Sequence, residues 1–365
     1  MVYYYSVVFT LQRKIFSTII GPNLKGVLLM QKTVRFFLLV VLSLSLFVFP
    51  PEGAAGPEKV LRFAGQFPEG HTSTELMKTI AGEVREKSGG RIEIALFPAN
   101  ELGDYSLVYE ELIRGSIDMA AITVPSQFDP RLELPYVNCI VRTFEGARKL
   151  LAPDGWLFAR MDRLHARLGV KLLGFQMEGF IGIGSTKPVN EPLNPDSKKG
   201  ILLRIPNMES FRLAAEAMGY NTITIPWDEV LGSLQNGFAE GVFGMTPTAA
   251  QTMLKGVIKY WYDLHCSIEN LNYMISLKTW EKLSEEDRAI ISEVCSKVTG
   301  MSIDLAEADQ KKHLEQMRED GVEVHTYGRE ELTPLFARVA STWEKLGDKL
   351  SKELVDDLVS RYAEK

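Results

Sequence analysis

From residue 58 onward the apolar positions switch between a two-residue period and a helical one, and chain breakers mark the switches. Residues 60–66 (VLRFAGQ) alternate and predict a strand, broken by Phe67-Pro68-Glu69-Gly70. Residues 72–87 place Leu76, Ile80 and Val84 on one helical face, and Ser88-Gly89-Gly90 stops them. A second strand is predicted over 91–97. A helix follows from Leu102-Gly103-Asp104 through Arg114, closed by Gly115, and a third strand over 117–123. Residues 130–135 read as a loop, 143–151 and 155–168 as helices, and 170–176 as a strand running into the glycine-rich stretch 179–184.

The same order then recurs. Residues 201–203 are an apolar run ending on Arg204 and Pro206. An amphipathic segment, 210–218, reaches Gly219. A β-branched run, 222–225, stops at Pro226, a helical segment, 228–235, stops at Gly237, and Val242-Phe243 follows. Leu112, Gly115, Ile117 and Asp118 align with Leu234, Gly237, Ala239 and Glu240. A shared order of five elements implies an internal duplication, hence two similar α/β lobes with a cleft between them. Residues 273–277 read as a strand returning to the first lobe. A helical pattern runs from 284 to 320, opened by the capping pair Ser284 and Asp287 and closed by Gly321. The expected division is 56–179 with 270–309 for the first lobe, and 180–269 with 310–365 for the second.

The N-terminus has a different character. Lys32 and Arg35 precede a 14-residue apolar run, 36–49, interrupted only by Ser43 and Ser45, then Pro50-Pro51 and Gly53-Ala54-Ala55. That pattern is a secretory signal, residues 30–55, cleaved after Ala55. The apolar run is short beside the roughly 20 residues of a membrane span. An uncleaved anchor is the rival reading. Residues 1–29 do not fit a signal start, so Met30 is the expected initiator and 1–29 a non-native extension. No cysteine sits at the junction to carry a lipid.

Charge narrows the partners. The 365 residues carry a formal charge of −6. The first 55 hold five Lys/Arg and one Asp/Glu, so the remainder has 36 basic against 46 acidic residues, or −10. This excludes a nucleic-acid binder, which shows a basic surplus. An acidic protein that binds an anion needs a local cationic site. The three cysteines, Cys139, Cys266 and Cys295, have no metal or redox spacing. They read as buried thiols, with a Cys139–Cys266 bridge as the open alternative. The five histidines form no metal pair, and His313 reads as part of a solvated helix face. GFIGIGSTK lacks both the P-loop ending and the Rossmann glycine spacing, and no GxSxG elbow exists. No enzyme chemistry and no cofactor are expected.

Arg204 stands apart as a cation at the end of an apolar strand, where α/β units bind ligands. It either pairs a carboxylate of the protein, such as Glu240, or clamps one of a ligand. The planar guanidinium suits the second role, because its fork matches two carboxylate oxygens.

Several segments together resemble the DctP-type solute-binding proteins of TRAP (tripartite ATP-independent periplasmic) transporters. They are EKSGGRIEIALFPANELGD, ELIRGSIDMA, LELPYV, the stretch RIPNMESFRLAAEAMGYNTITIPWDEVLGSLQNGFAEG, and WEKLSEEDRAII. The resemblance implies a two-lobed periplasmic binding-protein fold with a ligand cleft and a long helix spanning both lobes. It also implies a periplasmic location, a small organic acid as ligand, and TRAP-type permease subunits as partners. A monomer is the expected state, with a dimer as the alternative. A ligand-sensing receptor for a signalling partner is the competing function. Arg204 falls on the family's carboxylate-binding arginine, Gln66 and Thr123 on ligand-facing strand ends, and Trp227 on an aromatic that packs on ligand carbons. Asn207, Glu178, Phe243 and Thr246 complete the candidate set, Glu178 toward an amine or hydroxyl. The second arginine common in the family is missing near Ile181, and no Asn follows Glu240-Gly241. Those departures count against sialic acid or a dianion. They point to an apolar monocarboxylate whose tail lies on Phe243, Met245 and Ile181.

Overall fold

The structure is a computed structural model that describes residues 57–363. The signal peptide, its cleavage point and the 1–29 extension lie outside the described residues. Among them no helix is long and apolar enough to cross a membrane.

The first lobe begins β1 (Lys59–Gly65), α1 (Thr72–Lys87), β2 (Ile92–Phe97), α2 (Tyr105–Arg114) and β3 (Met119–Ile122). A 3-10 helix, Pro130–Tyr136, replaces the expected loop, its start capped by Asp129. Two helices, α3 (Phe144–Leu150) and α4 (Trp156–Arg167), lead to β4 (Val170–Phe180). The chain then crosses at Ile181 into the second lobe: β5 (Gly182–Ser185), β6 (Leu202–Ile205), α5 (Glu209–Ala217), β7 (Asn221–Thr224), α6 (Val230–Gln235), β8 (Gly241–Met245), α7 (Pro247–Met253) and β9 (Tyr260–Asp263). It returns as β10 (Ile268–Ser276), and a short helix, α8 (Leu277–Trp280), precedes the 35-residue α9 (Glu285–Glu319). The remainder is β11 (Glu323–Thr326), α10 (Arg329–Ala340), α11 (Trp343–Leu350) and α12 (Lys352–Tyr362).

Each lobe holds one sheet. The orders are β2-β1-β3-β10-β4 and β11-β9-β5-β8-β6-β7. The duplication read from the sequence is present in both topology and detail. Parallel β1 lies between β2 and β3 as β6 lies between β7 and β8. Gly115 and Gly237 both take positive φ, 79° and 71°, after their helices, as left-handed C-terminal caps do. Beyond them the amides of Ser116 and Ile117 donate to Glu111 O, as those of Phe238 and Ala239 donate to Ser233 O. Asp118 accepts from the Arg62 amide at 2.9 Å, and Glu240 from the Leu202 amide at 3.2 Å. The aligned acids therefore serve the middle strand of each parallel triplet.

The long helix binds the first-lobe sheet by its edge. β4 is that edge, and exposed edge amides are a liability. Thr299 Oγ1, Ser302 Oγ and Gln310 Oε1 on α9 accept from the amides of Phe175, Met177 and Phe180 at 3.2, 3.0 and 2.9 Å. A Cβ at Gly174 would lie 2.5 Å from Thr299 Oγ1, so the approach requires glycine. At about 1.5 Å per residue, α9 is some 50 Å long and passes both lobes. Ser284 caps its start, and Asp287 pairs with Lys59 and Arg91. His313, expected on a solvated face, is buried against Thr248 of α7 at 3.1 Å.

Not all of 310–365 belongs with the second lobe. α10 packs on α5 of that lobe, but α12 packs on α3 of the first, with Tyr362 against Trp156. The thiols of Cys139 and Cys266 lie buried and 2.8 Å apart, whereas Cys295 sits elsewhere in the first-lobe core.

Thr299→Val would leave the buried Phe175 amide without an acceptor. A stability loss of about 1–3 kcal/mol is expected in urea denaturation. An unchanged midpoint would remove Thr299 from the edge-sealing role. An oxidant should join Cys139 to Cys266 and leave Cys295 as a thiol, which peptide mapping after alkylation without reductant will read.

Candidate ligand-binding site

The duplication places two strand ends opposite each other. Arg204 is the third residue of β6, hydrogen-bonded in register with Ile223 on one side and Val242 on the other. Its side chain is 1% exposed. Nε donates to Ile225 O at 2.9 Å, and Cζ stands 5.8 Å from the Trp227 ring centroid. No carboxylate of the described residues forms an ion pair with it. Glu240, the alternative partner, instead pairs with Lys187 at 2.5 Å and accepts from the Leu202 amide. Burial pulls the Arg204 pKa down to about 10, partly opposed by Tyr105 and Glu269. The guanidinium thus stays protonated at neutral pH, with only Nε engaged by the protein.

A cavity with an empty volume of about 470 Å³ adjoins it. From the first lobe, Gln66 and Thr123 line it, and Gln66 Oε1 accepts from the Thr123 amide. From the second, Arg204, Trp227 and Thr246 line it. Thr246 also caps α7 by accepting from the Ala249 amide at 3.2 Å. Trp227 stands edge-on to Phe67 with centroids 5.7 Å apart, and its buried Nε1–H has no acceptor among the described residues. Phe67 in turn stacks on His71 at 3.9 Å.

Glu178 closes one end. Gln176 Nε2 donates to its Oε1, and His71 Nε2 lies 3.5 Å from its Oε2. His71 Nδ1 accepts from the Ser73 amide, so the ring proton resides on Nε2. Burial drives the His71 pKa down to about 3, with His313 adding to the shift. The imidazole is neutral and gives Glu178 no countercharge. Burial is the main cause that raises the Glu178 pKa to about 8, opposed by Gln176 and aided by Asp309.

Two expected residues stand elsewhere. Asn207 is exposed and does not line the cavity; its backbone carbonyl accepts from Ser126 Oγ at 3.0 Å. Next to it, the buried Glu133 accepts from the Glu209 and Ser210 amides at 3.0 and 2.9 Å, at the start of α5. This segment thus ties Pro130–Tyr136 to the second lobe. Phe243 is wholly buried behind the wall against Phe211, and Ile181 lies in the same core. Of the expected apolar tail contacts only Met245 lines the cavity. The polar groups around it do not fit a purely apolar monocarboxylate.

Among the lining residues that escaped the sequence reading are Glu269, Tyr105 and Tyr136. Glu269 had a usable signal, an acid inside the apolar run IENLNYMIS. Tyr105 and Tyr136 had none, because an aromatic at a helix start or in a loop is ordinarily core.

Two open sheets, each with a βαβαβ half facing the other across a cleft and a cation on one wall, define a two-lobed binding protein. The family model for DctP, "Bacterial extracellular solute-binding protein, family 7", matches residues 63–350. The chain belongs to this family, whose members are binding proteins and not enzymes. It is 24% identical over 313 residues to the sialic acid-binding periplasmic protein SiaP of Vibrio cholerae, spanning 84% of this chain and 94% of that one. Among solved structures, the sugar acid binding protein DctPAm of Advenella mimigardefordensis, in complex with galactonate, superposes with a TM-score of 0.77. It has 19% identity and covers 84% of this chain and 98% of its own. DctP7 of Bordetella pertussis, an extracytoplasmic solute receptor binding pyroglutamic acid, gives 0.73 at 17% identity, with coverage of 83% and 100%.

The raised Glu178 pKa has a sign that can be measured. The folded carboxyl keeps its proton to about pH 8, whereas an ordinary one releases it near 4.5. Between these values the folded state holds more protons than the unfolded one, so stability falls as pH rises. Its contribution is full below about 4.5 and lost by about 8. The ligand-free Glu178→Gln variant should therefore gain Tm relative to the parent across that window. A constant Tm difference would show that Glu178 ionises normally.

Proposed function

We propose that the chain captures a small organic acid in the periplasm and delivers it to the membrane subunits of a TRAP-type permease. It reaches that compartment through the 30–55 signal, cleaved after Ala55. The observation that carries the reading is Arg204: a buried, protonated guanidinium on a cavity wall with no carboxylate partner among the described residues. A buried cation without a counterion is costly. A ligand carboxylate answers that cost through charge-assisted hydrogen bonds of about 1.5–3 kcal/mol each. A micromolar site needs about 8 kcal/mol in all, so the clamp supplies a large part. Gln66 and Thr123 hold the ligand from the first lobe, and Trp227 and Thr246 from the second. Bound solute bridges the lobes and favours the closed state, the form a permease would recognise.

Native mass spectrometry of the purified protein tests this. The parent should carry a bound organic acid, and Arg204→Ala should lose it, with calorimetry showing a loss of about 2–5 kcal/mol. Unchanged affinity in Arg204→Ala would refute the clamp. The methyl ester of the captured acid should bind poorly, since it lacks the charge that Arg204 reads.

A further inference from the structure

The cavity holds a second carboxyl that the clamp does not use. Glu269 lies at the start of β10, opposite Gly179 in register, while the next pair is Asn270 with Met177. Glu178 is therefore an extra residue on β4, a β-bulge beside Gly179, whose φ is +132°. In a regular ladder Glu178 and Gly179 would face opposite sides of the sheet. The bulge re-aims Glu178 so that it and Glu269 both line the cavity.

Two acids share one cavity wall, no lysine or arginine of the described residues forms an ion pair with either, and without a countercharge Glu178 keeps its proton. Glu178 is instead oriented by one neutral donor, Gln176 Nε2, and His71 Nε2 stands 3.5 Å from its other oxygen without a hydrogen bond, so neither neighbour brings a charge. Glu269 forms neither a hydrogen bond nor an ion pair among the described residues. Burial and the neighbouring Glu178 raise its pKa, while Arg204 opposes the rise. Groups that only bound hydroxyls would not need this pairing, since Gln66, Thr123 and Thr246 already offer neutral polar contacts. Four aromatic side chains, Phe67, Tyr105, Tyr136 and Trp227, also line the cavity. Such rings attract cations through their π faces.

We propose that the solute is a zwitterion, with its carboxylate on Arg204 and a cationic nitrogen seated between Glu178 and Glu269. The proposal rests on the Arg204 reading above and adds the opposite end of the ligand. The ligand nitrogen supplies the missing countercharge to both acids, as its carboxylate does for Arg204.

The test compares 2-amino acids and 4-aminobutyrate with the hydroxy acids of the same carbon skeletons, plus galactonate and glucuronate, by thermal shift and calorimetry. The solute released from denatured protein is also identified by mass spectrometry. Amino compounds should bind more tightly than their hydroxy partners, and the released solute should contain a basic nitrogen. Glu269→Gln and Glu178→Gln, each checked for an intact melting transition, should weaken the amino series about ten- to hundredfold. They should leave any hydroxy-acid affinity unchanged or improved. Hydroxy or sugar acids that bind through Arg204 while the amino series does not would overturn the zwitterion and leave the clamp standing. Amino acids that bind equally to Arg204→Ala would overturn the clamp itself. A nitrogen-free released solute, or no response to any amino compound, also overturns the proposal.

Discussion

A guanidinium held dry by one backbone carbonyl sets the terms for this molecule. Arg204 can stay buried only because β6 is the central strand of a parallel triplet whose end opens onto a cavity and not onto packed core. Glu240, the partner carboxylate that the sequence suggested, is occupied in closing the opposite end of that strand. The cation is therefore left for something that arrives from outside. The cavity, the facing lobe and the aromatic wall all acquire meaning from that one unneutralised charge.

The two lobes share a plan and depart from it where the chemistry lies. Asp118 and Glu240, and Gly115 and Gly237, do equivalent work in the two halves. At the strand ends the halves differ: the first offers the amide and hydroxyl of Gln66 and Thr123, the second a cation. The acids belong to neither copy of the repeat. Glu178 and Glu269 come from the crossing strands, and one of them faces the cavity only because β4 carries an extra residue. A duplicated scaffold thus supplies two walls, and the crossover supplies the polar end.

The crossings also explain the long helix. β4 and β10 carry the chain between the lobes, so the first-lobe sheet ends on a strand that must connect and still be protected. α9 protects it by offering three side-chain oxygens to its free amides. Its length takes it past both lobes, so the element that seals one sheet also reaches α7 of the other. Membership of the DctP family agrees with this architecture, in which a binding cleft sits between lobes joined by shared elements.

The sequence by itself determined the repeated elements of the two halves, their order and the duplication, together with the long helix. Periodicity and breakers are local properties, and Gly115 or Ser284 acts through its own neighbours. It also singled out Arg204, Gln66, Thr123, Trp227, Glu178 and Thr246, since strand ends and motif positions can be read along the chain. Tertiary structure alone decided which of these face one another. Asn207 and Phe243 neighbour cavity residues in sequence, yet one turns to solvent and the other into the core. Glu269 is far from Arg204 along the chain and shares its cavity. Side-chain direction on a strand reverses with each residue, so a single bulge decides whether a carboxyl meets ligand or protein. That bulge is set by the pairing of two strands some ninety residues apart, and no local pattern records it.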